Sequence, residues 1–341
     1  MSAADLDGRP APEPAAVPGA DDGASPLQLA LRRLRANKVT LVSMVVFGIV
    51  VVMCLLAPVY AKYVAHTSPN ANHLSDQVRV GGKLKDVVSV DGVPIGPTWH
   101  GRFFLGADTN GRDIAVRLLY GGRNSLEIGV TATVITLVGA LLLGVAAGYF
   151  RGWVDTVISR ALDLIWAFPA LILGIALGVS LALGGLDIGP LHLAGGSLFV
   201  PALVIGVVYI PYVARPLRGE VLTLREREFV DAARILGYGR LRLIVREILP
   251  NLASTLLVFT ALQLAQSIAL EAALSFLGAG VQAPNSSWGT MLSGAVQLVT
   301  TSPHLTLVPG LMLVIAVLSV NLIGDGLRAA FDPRASVRRG R

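Results

Sequence analysis

The chain has 341 residues, of which 53% are hydrophobic and only 15% are charged, and its formal net charge is +6. A mean hydropathy of +0.66 lies far above that of an ordinary soluble domain and indicates an integral membrane protein. The single cysteine, Cys54, excludes a disulfide framework or a cysteine-based metal cluster within the chain.

The N-terminal part is predicted to contain a tail, a surface helix and a first span. Residues 1–26 are rich in Ala, Pro, Gly and Asp without periodicity, which predicts a disordered tail. Residues 26–38 then have leucines on one side and arginines nearby, which predicts a short amphipathic helix along the inner membrane surface. The apolar run 39–57 follows, so that 27–57 combines this helix with the first span. A leader of this length is unusual for a signal peptide, and we expect the span to remain uncleaved.

The next segment, 58–125, is polar and rich in turns, and we expect it outside the membrane as an extracytoplasmic region. The dipeptides Gly81-Gly82 and Asp91-Gly92 separate short alternating stretches, and each is a two-residue hairpin signal. They predict a small β meander. Residues 108–122 are then predicted to form a capped amphipathic helix that leads to the second span.

Further apolar runs are long enough to cross the hydrocarbon core, which takes about 20 residues. With the first span they give six predicted transmembrane helices, at 39–57, 128–150, 157–183, 197–214, 253–277 and 305–323. The fold class is therefore all-α, with a five-span core at 126–334 and a basic tail at 335–341. Glycines with small-xxx-small spacing, Gly144/Gly148 and Gly174/Gly178, indicate close helix packing, either internal or against another subunit.

The basic residues are distributed unevenly along the chain. Eight arginines lie in 215–246 and five more follow the last predicted span, whereas the loops 184–196 and 278–304 contain no Lys or Arg. This pattern follows the positive-inside rule and places both termini and 215–252 in the cytoplasm. Membrane orientation accounts for the net charge, and nucleic acid is not needed as a partner.

Residues 226–251, EREFVDAARILGYGRLRLIVREILPN, are crowded with charge although they lie between two predicted spans. A helical wheel groups the apolar side chains Leu222, Phe229, Ala233 and Leu236. The opposite face carries Glu220, Arg227, Asp231 and Arg234. Gly237 comes after the last turn and predicts a left-handed C-cap. A second helix is predicted to begin near Arg240 and to end at Pro250.

Three interpretations of this charged loop compete: a helix-turn-helix that binds DNA, an inert solvated loop, and an element that docks on a cytoplasmic partner. Because both ends of the loop are tethered to the membrane, the DNA-binding interpretation is disfavoured. We favour the docking element.

The loop resembles the EAA loop of ABC-importer permeases, through Asp231-Ala232-Ala233, Gly237 and the sequence ILP at 248–250. Four other stretches are similar to C-type permeases of dipeptide, oligopeptide and nickel importers: LGADTNGRD (105–113), RLLYGGRNSLEIG (117–129), ALEAALSFLGAGVQAPNSSWGTML (269–292) and NLIGDGLRAAFDPR (321–334). The resemblance covers about 27–334 and leaves 58–104 without a clear match. Asp231 stands where this family usually has Glu.

The resemblance implies the type I ABC importer permease fold and a role for the loop in coupling to an ATPase. The residues to which it assigns that role are Arg227, Asp231, Ala232, Ala233, Arg234, Gly237 and Tyr238. It implies a B-type permease as heterodimer partner, two ATP-binding subunits or one fused ATPase, and an extracytoplasmic solute-binding protein. ATP and Mg would be held by the partner subunits. A search for a P-loop finds only Gly81-Gly82-Lys83-Leu84, which lacks the upstream glycine and the hydroxyl. The chain is thus predicted to be a transporter subunit and not an enzyme by itself.

Four polar residues in predicted spans are candidates for the pathway or its gate: Gln263, Gln266, Glu271 and Asn321. An acid at the depth of Glu271 must face protein or water, and it could equally hold the start of the outer loop. The other three could be hydrogen-bonding contacts between helices. The five histidines match no metal motif, so nickel stays an open substrate without support. A passive channel, a secondary transporter and a membrane-anchored receptor are the rivals from other classes.

Overall fold

The computed structural model describes residues 26–188 and 191–331, and most of these residues are helical. Five of the described helices are long and apolar enough to cross a membrane, and one bent pair makes a sixth crossing if it is counted as one span. The predicted tails lie outside the described residues, apart from Pro26, which begins the first helix. The all-α membrane fold is therefore confirmed, with corrections to several helix boundaries.

The first helices follow the predicted order. Helix α1 is Pro26–Ala36 and helix α2 is Lys38–Leu55. Asn37 separates them, and its side chain accepts a hydrogen bond from the Thr40 N–H at 3.3 Å, which caps α2. Helix α3, Ala57–Tyr60, then continues as a π turn over Ala61–Ala65.

A β-hairpin forms where the first turn dipeptide predicts it. Strands β1 (Gln77–Val80) and β2 (Lys83–Asp86) pair antiparallel, with Val80 opposite Lys83. Gly81 and Gly82 both have positive φ, at 57° and 83°, as a tight two-residue turn requires. The second dipeptide, Asp91-Gly92, also turns the chain, but the residues on its two sides form only an isolated bridge, between Val88 and Pro94. The side of the membrane on which this hairpin lies stays a prediction.

Helix α4 is one continuous element, Ile114–Phe150, so the capped helix predicted at 108–122 begins six residues later than predicted and runs without a break into the span predicted at 128–150. Asp113 determines the start of α4, because its carboxylate accepts from the N–H groups of Val116 at 3.1 Å and Phe103 at 2.6 Å. Burial raises the pKa of the Asp113 carboxyl, and these hydrogen bonds oppose that shift.

The predicted third span, 157–183, is broken. It consists of helix α5 (Gly152–Trp166) and helix α6 (Ala170–Gly184), which meet at 88°. Pro169 lies at the break, and a proline both lacks an N–H and disfavours helical backbone in the residue before it. Beyond α6, strands β3 (Leu186–Ile188) and β4 (Leu191–Leu193) form a hairpin that no sequence pattern predicted.

Helix α7, Phe199–Leu224, packs along α4 at glycines. A Cβ at Gly144 would lie 2.8 Å from the Ala214 carbonyl oxygen, and one at Gly148 would lie 2.8 Å from the Val221 Cβ. The second glycine pair, Gly174 and Gly178, is also closely packed, since a Cβ at Gly178 would lie 2.4 Å from the Ala279 carbonyl oxygen. Both small-residue pairs therefore serve packing within the chain.

The charged loop contains helix α8 (Glu228–Ile235) and helix α9 (Arg240–Leu243). A π turn, Ile244–Ile248, joins α9 directly to helix α10, Leu249–Phe276. The prediction that Pro250 ends the second helix is wrong, because the π turn accommodates the proline at the start of α10.

Two more helices follow within the described residues. Helix α11, Trp288–Ala295, is capped by Ser287 and runs into a 3-10 turn at Val296–Leu298. Helix α12, His304–Phe331, extends beyond the predicted end of the last span at 323.

Candidate functional site

The end of α8 has the geometry that Gly237 predicts. The N–H of Gly237 donates to the Arg234 carbonyl at 2.9 Å, and the N–H of Tyr238 donates to the Ala233 carbonyl at 3.1 Å. The φ of Gly237 is +78°. This pair of bonds around a left-handed residue is a Schellman motif, and it turns the chain sharply from α8 towards α9.

The loop has a small core of its own. Val230 and Ala233 of α8 pack against Leu243 of α9, and Tyr238 packs beside them from the turn. The Arg242 guanidinium lies 4.0 Å from the centre of the Tyr238 ring, a cation–π contact. The two short helices are thus held at a fixed angle by local contacts.

Three apolar side chains at the tip of the loop face outward. Ile235, Leu236 and Leu241 are 88%, 74% and 75% exposed. The helical wheel grouped Phe229 and Leu236 with Ala233, but only Ala233 of the three is buried, because Val230 and Ala233 form the side of α8 that packs on Leu243. Leu222 lies in α7 and does not belong to this helix. An apolar tip of this kind, surrounded by charge, is typical of a surface that a partner covers.

The predicted coupling residues are divided between the surface and the core of the loop. Ala233 is buried and Tyr238 is half-buried, whereas the others are exposed: Arg227, Asp231, Ala232, Arg234 and Gly237. The Asp231 carboxylate accepts from Arg234 at 2.8 Å, one helical turn away. Asp231 is thus engaged within its own helix.

Two arginine contacts that sequence reasoning missed connect the loop to the end of α4 and the start of α5. Arg225 donates to the Tyr149 carbonyl at the end of α4, and Arg151 pairs with Glu226. A polar cavity of about 390 Å³ lies between the loop and the end of α4. It is lined by Tyr149, Phe150, Arg225, Arg234, Tyr238, Arg240 and Leu243. Since α9 also continues into α10, the loop is connected to α10 as well as to α4 and α7.

The pathway candidates differ in their surroundings. Gln263 is buried and donates to Ser267 at 3.2 Å, and the Thr133 hydroxyl of α4 donates to the same Ser267 oxygen at 3.4 Å. Ser267 thus connects α10 to α4, and Gln263 supports that contact from within α10. Gln266 is exposed and Asn321 is half-buried, so either could face a partner or the pathway.

Glu271 is fully buried and connects its helix to the following loop. It accepts a hydrogen bond from Ser275 at 2.7 Å, and the Ser275 oxygen in turn accepts from the Val281 N–H at 3.0 Å. Ser275 was not singled out from the sequence. This relay supports the structural role for Glu271, although its Oε2 has no hydrogen-bond partner among the described residues.

In the described part of the chain, no group of three or more His, Cys, Asp or Glu side chains is placed to hold a metal ion. His73 contacts Asp76 at 3.0 Å and Arg102 at 2.8 Å, which makes it part of a polar cluster near the hairpin.

Comparison with family models resolves which kind of protein carries this loop. Residues 140–337, more than half of the chain, match the model described as "Binding-protein-dependent transport system inner membrane component". The chain belongs to that family. Residues 25–75 of this permease also match the "N-terminal TM domain of oligopeptide transport permease C". The permease is therefore a multi-pass inner-membrane protein, and its family is one of transport subunits.

Several curated relatives are similar over most of their length. The permease is 34% identical to the dipeptide transport system permease protein DppC of Alkalihalophilus pseudofirmus, over 95% of both chains. It is 31% identical to the oligopeptide transport system permease protein OppC of Haemophilus influenzae, over 92% of this chain and 90% of that relative. The di/tripeptide permease DppC of Pseudomonas aeruginosa is 37% identical over 70% of this chain and 76% of its own.

A solved structure of the MetNI methionine ABC transporter in an inward-facing conformation is similar in fold. The TM-score is 0.50 with 17% identity, over 62% of this chain and 95% of that chain. This likeness supports the ABC importer permease fold alone.

Proposed function

We propose that this permease forms half of the transmembrane pathway of an ABC importer for short peptides, which an extracytoplasmic binding protein delivers. The observation that carries the proposal is the apolar tip of the charged loop, held outward by its own core and tied to the ends of the spans. The names of the relatives, dipeptide and oligopeptide permeases, support the substrate class.

The loop couples ATP hydrolysis to transport in this proposal. Its tip docks in a groove of an ATP-binding subunit, where Ile235, Leu236 and Leu241 become buried. ATP binding draws the two permease loops of the complex together. Arg225 and Arg151 carry that displacement to α4 and α5, and the spans rock between inward-open and outward-open states. ATP and Mg belong to the ATPase subunits, so the permease performs no chemistry itself.

The proposed complex pairs this chain with a B-type permease, since one permease provides one coupling loop and half of a pathway. Two ATP-binding subunits or one fused ATPase lie on the cytoplasmic side, and lipid surrounds the spans. Nucleic acid has no role. Both chain termini and the charged loop are cytoplasmic, as the arginine distribution predicts.

The orientation can be tested by thiol labelling in intact cells, because the only native cysteine, Cys54, is buried. Val90, in the predicted outer segment, is fully exposed, and Ser336 belongs to the basic tail that is predicted to be cytoplasmic. We expect an impermeant maleimide to label Val90→Cys in intact cells and to label Ser336→Cys only after permeabilisation. The opposite pattern would invert the topology.

The function is tested by uptake into liposomes that contain the complete transporter with its binding protein. We expect accumulation of labelled di- to pentapeptides with ATP and none with ADP in the lumen. Accumulation of nickel in place of peptides would make the substrate assignment wrong. Uptake without ATP would indicate a passive channel or a secondary transporter, and peptide binding without uptake would indicate a receptor.

A further inference from the structure

Three arginines line the cavity between the charged loop and the end of α4, which we call the arginine cavity. Its volume is about 390 Å³, and none of its described lining residues is acidic: Tyr149, Phe150, Arg225, Arg234, Tyr238, Arg240 and Leu243. Of the three arginines, only Arg234 pairs with an acid among the described residues, and that acid is Asp231 in its own helix. The cavity is therefore positively charged.

The guanidinium groups keep donors that can bind an anion. Arg225 donates to the Tyr149 carbonyl and lies 5.7 Å from the Tyr149 ring centre, so it is held in place without a carboxylate. A guanidinium has five N–H donors in a planar fork, and one such bond leaves several of them available. Several arginines around one space are suited to a phosphate group, because the fork can donate to two phosphate oxygens at once.

Two other cavities have a different balance of charge. The cavity beside α11 contains Arg112 and Arg117, but Asp108 lies 2.7 Å and 3.5 Å from their Nε atoms. The cavity between α7, α10 and α12 contains a single arginine, Arg328. Neither lining has more than one positive charge in excess, which makes the arginine cavity the strongest candidate of the three for a phosphate.

The arginine cavity lies close to the level at which the membrane ends. Ala214, the last residue of the span predicted on α7, packs at Gly144 of α4. Phe150 comes six residues later, so α4 ends about 9 Å beyond the level of Ala214. Lipid headgroups extend about 5–8 Å beyond the hydrocarbon core on each side, and arginine side chains are long enough to reach towards them. Headgroups are therefore within reach of the cavity.

Helix α5 begins beside the cavity and runs at a steep angle to α7. Asp155 of α5 pairs with Arg218 of α7, and Asp163 of α5 pairs with Arg215. Eight residues of α5, about 12 Å, thus correspond to three residues of α7, about 4.5 Å. Two parallel helices would advance by equal lengths. Since α7 crosses the membrane, α5 lies closer to the membrane plane than to its normal.

The side of α5 away from these acids is apolar and exposed. Trp153, Val157 and Leu164 are 78%, 59% and 68% exposed, and their spacing places them on one side of the helix. Phe150, in the wall of the cavity, is 46% exposed and lies three residues before Trp153. A helix near the membrane plane with one apolar and one polar side is typical of an interfacial helix. An apolar surface suited to acyl chains thus adjoins the positively charged cavity.

We propose that the arginine cavity binds the phosphate headgroup of an anionic phospholipid, from the leaflet on the side of the charged loop. Arg225, Arg234 and Arg240 hold the phosphate, and an acyl chain lies on Phe150 and the apolar side of α5. A phospholipid fits both surfaces, whereas a soluble phosphate has no apolar part to cover Trp153. The bound lipid connects the loop to the end of α4.

An acidic side chain of the ATPase is the alternative occupant of the cavity. The apolar tip that we assign to ATPase docking is formed by Ile235, Leu236 and Leu241, and none of these residues lines the cavity. Lipid and ATPase can therefore be bound at the same time, and the complete transporter is the right material for a test.

The test measures thiol reactivity in the complete transporter, assembled with cysteine-free partner subunits in a non-ionic detergent. Phe150→Cys places a reporter in the cavity wall, and the native Cys54 is buried. We expect dioctanoyl phosphatidylglycerol to slow its reaction with iodoacetamide, and zwitterionic dioctanoyl phosphatidylcholine to need about tenfold more for the same protection. At Leu311→Cys, on the exposed apolar side of α12, the two lipids should protect equally.

In the Phe150→Cys background, Arg240→Gln should raise the half-protecting concentration of phosphatidylglycerol about tenfold, as expected for the loss of one charge-assisted hydrogen bond. Arg246→Gln is the matched control, because Arg246 is an exposed arginine of the same segment that does not line the cavity, and it should leave this concentration unchanged. Arg240→Lys, which keeps the charge, should give an intermediate value.

Three results would overturn the proposal. Phosphatidylglycerol might fail to protect Phe150→Cys better than phosphatidylcholine does, which would leave the cavity to water or to an acid of the ATPase. Inorganic phosphate might protect as well as phosphatidylglycerol at the same concentration, which would indicate a site for a soluble anion. Equal effects of Arg240→Gln and Arg246→Gln would show that the cavity does not bind the headgroup.

Discussion

Replacing Ile235 and Leu236 together by Asp is expected to abolish association of the ATPase subunits with the permease. These side chains are 88% and 74% exposed at the loop tip, and docking would bury both. Full burial of such a side chain contributes about 1.5–3 kcal/mol, so losing two weakens docking by about 3–6 kcal/mol, or at least about a hundredfold. A buried carboxylate would add a further penalty. Co-purification of the ATPase and ATPase activity stimulated by the binding protein are the measurements.

The control for this double variant is Val90→Asp, which also places an acid on a fully exposed apolar position, but in the predicted outer segment. It should bind the ATPase like the parent. If the Ile235→Asp/Leu236→Asp permease still co-purified with the ATPase and transported, the loop tip would not be the docking surface, and the central proposal would fail.

Replacing Gly237 by Val is expected to leave the permease in the membrane but to uncouple it. The φ of +78° is unfavourable for any residue with a Cβ, by about 1–2 kcal/mol, and more so for a β-branched one. A Cβ at this position meets no atom within 4 Å, so the effect comes from the backbone alone. The Schellman turn would open and displace Leu236 and Leu241 relative to each other. Peptide uptake should fall about tenfold or more, and the binding protein should no longer stimulate ATP hydrolysis.

Gly237→Asn provides the comparison, since Asn adopts the left-handed region more readily than other residues with a Cβ. It should keep most of the transport activity. Equal activity of the Val and Asn variants would show that the left-handed turn does not matter for coupling.

Local signals in the sequence were sufficient where a single residue determines the backbone. Gly81-Gly82 predicted the hairpin turn and Gly237 predicted the left-handed cap, because few residues adopt these conformations without strain. The apolar runs located the crossings, since hydrocarbon demands a minimum length of apolar helix. The position of the coupling residues could be predicted from their resemblance to a known loop, but their roles still await the experiments above.

The features that were missed depend on contacts between distant parts of the chain. The bend between α5 and α6 is an exception, because Pro169 is a local signal for it that hydropathy, which depends on composition alone, does not detect. The buried side of α8 is decided by Leu243, which lies beyond the turn. Trp166 and Tyr212 are far apart in sequence, so their stacking is visible only in three dimensions.

The uninterrupted course of 240–276 from the loop through the π turn and α10 makes this segment a lever of unequal arms. One tight contact with α4 is at Ile268, where a Cβ on Gly129 would come within 2.7 Å of the Ile268 side chain. At 1.5 Å per residue, the arm from Ile268 to Arg240 is about 42 Å and the arm from Ile268 to Phe276 is about 12 Å. A tilt about this contact reduces the movement at the far end about 3.5-fold and increases the force there in the same ratio. A large displacement of the loop would thus produce a smaller displacement, with a larger force, near the buried side chains of Glu271 and Ser275.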